Sequence, residues 1–94
     1  MRHIALYRWN TDTSPEVVAQ VLDNVRAMAE QIPQVIRLDC GLNLAAEPDG
    51  YTHYVEVEVA DREAYVAYKQ HPAHRAVAER IGPLLSEHLS LDTE

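Results

Sequence analysis

The sequence predicts an α+β fold in which the elements follow the order β-α-β-β-α-β. Along its 94 residues, segments in which hydrophobic residues alternate, as in strands, are followed by segments in which they recur every three or four residues, as in amphipathic helices. Prolines and glycines separate these segments. Hydrophobic residues make up 47% of the chain and charged residues 24%, which is a globular composition. The length suits one domain, predicted over residues 1–94.

The first two elements are a strand and a helix. Residues 3–9 alternate, with Ile4 and Leu6 on one face and His3, Ala5, Tyr7 and Trp9 on the other. Ser14 is a typical N-cap, and Pro15 suits the first helical position. The helix then carries one apolar stripe and ends at a proline. The stripe consists of Val18, Val21, Leu22, Val25, Met28, Ala29 and Ile32.

Two strands follow the helix. Residues 36–44 alternate between apolar and polar side chains, and residues 51–59 form the next strand. Residues 46–50 connect the two strands and are typical of a turn. One side of the second of these strands carries His53, Val55, Val57 and Val59.

The remaining elements are an interrupted helix and a short strand. Asp61 is predicted to cap the helix, Pro72 to break it and Gly82 to end it. The last strand is predicted at residues 87–91, where leucines alternate with His88 and a serine.

This order is that of the ferredoxin-like fold, a four-stranded antiparallel sheet with both helices on one face. The opposite face would carry Ile4 and Leu6, with Leu89 and Leu91 expected beside them. Such a face is too apolar to leave in water. The sequence therefore predicts a homodimer that joins through its sheet faces into a dimeric α/β barrel.

Composition argues against several partners and compartments. The net charge is −7 and Lys69 is the single lysine, so a nucleic-acid partner is not expected. No apolar run is long enough for a membrane span or a secretory signal, so no membrane partner is expected. Cys40 is the only cysteine, which fits a reducing compartment and predicts a cytoplasmic protein.

The segment that carries chemistry is Tyr68-Lys69-Gln70-His71-Pro72-Ala73-His74. The break at Pro72 places His74 in the first turn of a new helical piece, where the helix dipole disfavours a protonated imidazole. His74 would then be a neutral base, and the Tyr68 phenol could donate to a developing oxyanion. This pair predicts enolisation or aldol chemistry with no cofactor.

The predicted site has a catalytic set and a larger set of substrate contacts. His74 and Tyr68 are the predicted catalytic residues. Contacts with a small-molecule ligand are predicted for His3, His53, His71, Tyr7, Val55 and Val57. An alternative makes His71 a helix cap and His74 a half-buried structural histidine. A metal at His71 and His74 is the weaker option, because no third ligand has a distinctive spacing, and no metal is predicted.

Five sequence features together resemble the stress-responsive dimeric α/β-barrel family over essentially the whole chain. They are the strand that opens at His3, Gly41-Leu42-Asn43, Gly50-Tyr51-Thr52-His53, the Tyr68 to His74 segment and Asp92 after the last strand. The resemblance implies a ferredoxin-like protomer that pairs sheet to sheet. It also implies similarity to polyketide cyclases of that family, which close a ring by aldol chemistry without a cofactor.

The resemblance also implies roles for particular residues. The catalytic tyrosine and histidine of those cyclases fall on Tyr68 and His74, and their strand histidines fall on His3 and His53. Those cyclases line their pocket with phenylalanine, which this chain lacks. Three functions remain open at this point: a cofactor-independent lyase or cyclase, a non-catalytic stress-response or ligand-binding homodimer, and a cofactor-free monooxygenase.

Overall fold

The structure, a computed structural model, describes all residues 1–94. It consists of one antiparallel sheet of four strands, three α-helices and a 3₁₀ turn, which confirms the predicted ferredoxin-like fold. The elements are β1 (Arg2–Trp9), α1 (Pro15–Gln31), β2 (Arg37–Leu42), β3 (His53–Glu58), α2 (Arg62–Gln70), α3 (Pro72–Ile81), the 3₁₀ turn (Gly82–Leu84) and β4 (Leu85–Thr93). None of the helices combines the length and the hydropathy that a membrane crossing requires.

The sheet has the strand order β2-β3-β1-β4 and two faces of different character. In the register, Ala5 of β1 lies between Val55 of β3 and Ser90 of β4, and Val55 lies beside Cys40 of β2. Directly paired residues point to the same side of a sheet. These four residues therefore define the inner face, which is turned toward the helices.

The core lies between the inner face and α1. Ser14 caps α1 through a hydrogen bond that its Oγ accepts from the backbone N–H of Val17 at 3.2 Å. Six residues of the predicted stripe are buried, namely Val18, Val21, Leu22, Val25, Met28 and Ile32. Each such side chain contributes on the order of 2 kcal/mol when it leaves water. The stripe therefore fixes α1 against the sheet.

The outer face of the sheet is the opposite surface, and it carries the predicted apolar patch. Ile4 pairs with Leu91 and Leu6 pairs with Leu89, so the four side chains form one continuous group. Leu89 is 53% exposed and Leu91 is 55% exposed. The predicted phase of the last strand is thus confirmed. Nothing within the protomer covers this patch.

The strand limits differ from the predictions for β2 and β3, which are shorter than predicted. Their ladder ends at the Leu42–His53 pair, and the chain then turns through Asp49 and Gly50, which have φ angles of 50° and 81°. The positive φ of Gly50 favours glycine at this position, and a Cβ there would come within 2.8 Å of Nε of Arg8 and displace that flexible side chain. Strand β4 is longer than predicted because it pairs along the whole of β1.

Candidate active site

A cavity of about 360 Å³ lies between the inner face of the sheet and the helices. Its size is at the lower end of the range found for small-molecule sites. Strands β1, β3 and β4 form one side, and α1, α2 and α3 form the other. Hydrophobic side chains make up 11 of its 19 lining residues, so its wall is apolar with a limited number of polar groups.

The break between α2 and α3 brings two polar side chains of the cavity together. Helix α2 ends at Gln70, and Pro72 is the first residue of α3, as the sequence predicts. His71 lies between the helices in an extended conformation. Because the chain changes direction there, Tyr68 at the end of α2 and His74 in the first turn of α3 both line the cavity.

The rings of Tyr68 and His74 are in direct contact. Their centroids are 4.7 Å apart and their planes meet at 62°, an edge-to-face arrangement. Tyr68 is only 3% exposed, and its hydroxyl makes no hydrogen bond to another protein group. A phenol without a protein partner on a cavity wall is free to donate to a ligand.

Burial sets the protonation state of both groups. Burial, with a smaller contribution from the nearby Lys69 ammonium, lowers the pKa of His74 to about 4, against a hydrogen bond to the Lys69 backbone. Burial raises the pKa of Tyr68 well above its ordinary value, with smaller contributions from Tyr7 and Tyr65. At neutral pH the cavity therefore presents a neutral imidazole and a protonated phenol. The sequence predicts a neutral imidazole from the helix dipole, and in the structure burial is the main cause of the lowered pKa of His74.

A second cluster of polar side chains, from the first strand, the last strand and α2, lies beside the same cavity. Nδ1 of His3 lies 2.6 Å from a carboxylate oxygen of Asp92, and Arg62 donates to the other oxygen at 3.1 Å. The hydrogen bonds from His3 and Arg62 hold the pKa of Asp92 below its ordinary value, against the opposing effect of burial. The His3 ring also contacts the Tyr65 ring, with the centroids 5.0 Å apart and the planes tilted by 48°. These contacts fix the orientation of the imidazole that faces the cavity.

The structure brings five of the eight residues named from the sequence to this cavity. They are His3, Tyr7, Val55, Tyr68 and His74. Val57 is fully buried in the core beside them. Burial raises the pKa of Tyr7, so this phenol also remains protonated.

His53 and His71 lie outside the cavity. His53 shares the inner face with His3, but it pairs with Tyr7, four residues further along β1 and thus roughly 13 Å away. Its Nδ1 accepts a hydrogen bond from Trp9 at 3.0 Å. Nδ1 of His71 accepts the backbone N–H of Ala73 at 3.0 Å, so His71 caps α3. The alternative prediction, in which His71 is a helix cap, therefore describes the position of this residue.

Several cavity residues were not singled out by the sequence argument. Lys69 and Tyr65 come from α2, and Val25 and Met28 come from α1. Strand β4 adds a polar row of Ser86, Glu87, His88 and Ser90. The signal for β4 was present in its alternation, since His88 and Ser90 occupy the positions between leucines. No three His, Cys, Asp or Glu side chains are arranged to hold a metal ion.

The chain corresponds to a known family over its whole length. The model of the stress-responsive A/B barrel domain matches residues 1–94. The chain belongs to the stress-responsive A/B barrel domain family. An uncharacterized protein of Streptomyces coelicolor is 32% identical over 79 residues, which covers 81% of this chain and 80% of that protein.

Solved structures of A/B barrel proteins and other ferredoxin-like proteins are similar along nearly the whole chain. A dimeric ferredoxin-like protein of unknown function from Thermobifida fusca is 31% identical with a TM-score of 0.85, covering 96% of this chain and 85% of that one. The hydroxynitrile lyase of Passiflora edulis has a TM-score of 0.88 at 19% identity, covering 96% and 87%. At that identity the likeness shows the fold alone.

Proposed function

We propose that this A/B barrel protein is a cofactor-independent lyase or cyclase that acts on an enolisable, polyketide-like carbonyl compound. The observation that carries the proposal is the contact of Tyr68 and His74 on the wall of one cavity. A neutral imidazole is the form that accepts a proton, and a protonated phenol is the form that donates a hydrogen bond. Both groups are in these forms at neutral pH.

The proposed reaction needs only these two side chains and a bound carbonyl compound. His74 takes the proton from the carbon next to the carbonyl, and the resulting enolate oxygen accepts a hydrogen bond from Tyr68. The enolate carbon then attacks a second carbonyl and forms the carbon–carbon bond. The imidazolium of His74 returns its proton to the new alkoxide. In the lyase direction the same steps run in reverse, so atoms and protons balance both ways.

The similarity to a hydroxynitrile lyase supports the proposal only at the level of the fold, which is compatible with lyase chemistry. The alternative is a homodimer that binds a small molecule in the same cavity without turning it over. The two functions differ in whether a bound carbonyl compound reacts.

We further propose that the protein works as a homodimer joined through its outer sheet faces. Three of the similar solved structures are described as dimeric ferredoxin-like proteins. The apolar patch on the outer face supports this face as the dimer contact, because a partner subunit would remove the patch from water. The patch is formed by Ile4, Leu6, Leu89 and Leu91. The helix-side cavity would stay accessible in such a dimer.

Cleavage of the β-hydroxyketone formed from acetone and benzaldehyde tests the catalytic proposal. The wild type is expected to release benzaldehyde faster than buffer alone. Tyr68→Phe should cost on the order of 10²–10³ in rate, because it removes one oxyanion donor and keeps the ring. His74→Ala should cost on the order of 10²–10⁴, because it removes the base. Circular dichroism of each variant verifies that it is folded.

The non-catalytic alternative gives a different result. It predicts that folded wild type binds the hydroxyketone and releases no benzaldehyde above the rate in buffer. Unchanged cleavage by both folded variants would likewise contradict the assignment of Tyr68 and His74.

A further inference from the structure

Lys69 supplies the cavity with an unpaired positive charge. It is the only lysine in a chain of net charge −7, and it lies near the end of α2 on the cavity wall. The ion pairs of the structure are made by four arginines and His3, and none involves Lys69. Its exposed ammonium therefore has no carboxylate within ion-pair distance.

The acidic groups beside the cavity already have partners. The Glu87 carboxylate accepts hydrogen bonds from the Tyr51 hydroxyl at 2.9 Å and from Arg8 at 3.4 Å. The Asp92 carboxylate accepts from His3 and Arg62. Arg8 also pairs with Asp49 at 3.6 Å, so it is shared between two carboxylates outside the reach of Lys69. Lys69 is therefore the one lysine or arginine that lines the cavity, and it has no carboxylate partner. An unpaired cation in such a position attracts an anion.

Strand β4 offers hydrogen-bonding groups on the sheet side of the same cavity. His88 pairs with Tyr7 and Ser90 pairs with Ala5, so both lie on the inner face, while Leu89 and its neighbouring leucine point outward. Neither His88 nor Ser90 makes a side-chain hydrogen bond within the protein. A ligand at the cavity mouth would thus meet Lys69 from the helix side and these two groups from the sheet side.

The rest of the cavity wall is apolar. Val25 and Met28 from α1, Val55 from β3 and Ile81 from α3 form its inner part. The cavity therefore suits an amphipathic ligand, with one charged end at the mouth and an apolar body inside.

We propose that this cavity selects carbonyl compounds that also carry a carboxylate, and that Lys69 is the residue that determines this preference. The carboxylate lies at the mouth against Lys69, with hydrogen bonds from His88 and Ser90, and the carbonyl lies deeper beside Tyr68 and His74. The identity of the reacting group rests on the proposed function, whereas the preference for an anion rests on the charges described here.

Binding of hydrocinnamate and its neutral amide, hydrocinnamamide, tests this selection, because the two probes differ in charge and share their shape. In an NMR titration, the wild type is expected to bind the carboxylate about tenfold more tightly than the amide, as for one charge-assisted hydrogen bond. The shifted resonances should include those of Tyr68 and Lys69. Lys69→Gln should abolish the preference, and Lys69→Arg should retain it.

Arg75→Gln is the matched control. Arg75 is an exposed cation of α3 that makes no ion pair and does not line the cavity. Its removal changes the net charge by the same amount and should leave the preference intact. Equal affinity for both probes, binding of neither at millimolar concentration, shifts confined to another surface, or equal losses in Lys69→Gln and Arg75→Gln would each overturn the inference.

Failure of this inference can be distinguished from failure of the proposed function. The probes report binding alone and no turnover. A carboxylate preference that depends on Lys69, in a protein that cleaves no hydroxyketone, would keep the anion site and reject the catalytic proposal. Cleavage of the hydroxyketone by a protein without a carboxylate preference would keep the catalytic proposal and reject the anion site.

Discussion

At the scale of single residues, the chemistry of the site follows from burial. A histidine in water has a pKa near 6.5 and is partly protonated at neutral pH. Burial and the Lys69 ammonium lower the pKa of His74 to about 4, so its imidazole is available as a base throughout the neutral range. The same burial keeps Tyr68 protonated. The same environment therefore sets the protonation states of both members of the proposed acid–base pair.

The low pKa of His74 predicts a pH dependence of stability. Between about pH 6.5 and pH 4, the unfolded chain binds more protons at this residue than the folded protein does. The free energy of unfolding should therefore fall as the pH falls through that window. His74→Gln removes this contribution. Urea denaturation at pH 7 and pH 5, at one protein concentration, should show a larger loss for the wild type than for His74→Gln.

Other groups near the site do not produce the same difference. The pKa of Asp92 is lowered, so its contribution to stability is lost only at more acidic pH, as the pH falls through its folded pKa. The lowered pKa of His53 affects the wild type and the variant alike. Equal losses of stability in the two proteins would contradict a neutral, half-buried His74.

At the scale of elements, local signals predicted the faces of the strands better than their limits. Alternation alone placed His3 and Tyr7 on one face of β1 and Ile4 and Leu6 on the other, as observed. The limits of a strand depend on where its partner strand begins, and the local sequence pattern does not contain this information. Thus β4 extends to Thr93 because β1 continues beside it.

The same distinction explains which site residues could be predicted. Pro72 is a local signal, and it correctly predicted the break that brings Tyr68 and His74 to one cavity wall. His53 lies on the predicted face, but its distance from His3 depends on the register between β1 and β3. Lys69 was not recognised, because an exposed lysine on a helix is indistinguishable in sequence from a solvated charge.

The two histidines on either side of the helix break have different structural positions. His71 caps α3 through Nδ1, whereas the His74 ring contacts Tyr68 inside the cavity. Asparagine is a favoured N-cap, so His71→Asn should preserve the start of α3. His71 thus provides a matched control for changes at His74.

At the scale of the whole molecule, the sheet separates two surfaces of different character. Its inner face meets the helices and forms the cavity, and its outer face carries the apolar patch. Strand β4 shows this separation clearly, because Leu89 and Leu91 point outward while His88 and Ser90 point inward. An edge strand with its leucines turned away from the protomer core is consistent with a partner on the outer face.

A lysine on the outer face should weaken the proposed dimer. Sedimentation equilibrium of the wild type is expected to give twice the 10.6 kDa mass of the chain. Leu91→Lys should shift the population toward the monomer, since it places charges on both sides of the two-fold contact. Val66→Lys is the control, because Val66 is also exposed but lies on α2. A monomeric wild type would contradict the proposed assembly.

The central claim is that His74 removes a proton from a carbonyl compound held in the cavity. Deuterium exchange next to the carbonyl of phenylacetone, followed by NMR in heavy water, measures this step directly and requires no knowledge of the natural substrate. The wild type and His71→Asn should exchange the probe much faster than buffer, and His74→Ala should fall on the order of 10²–10⁴ below them while remaining folded. Exchange by the wild type at the rate of buffer, or equal losses in the two histidine variants, would contradict the claim.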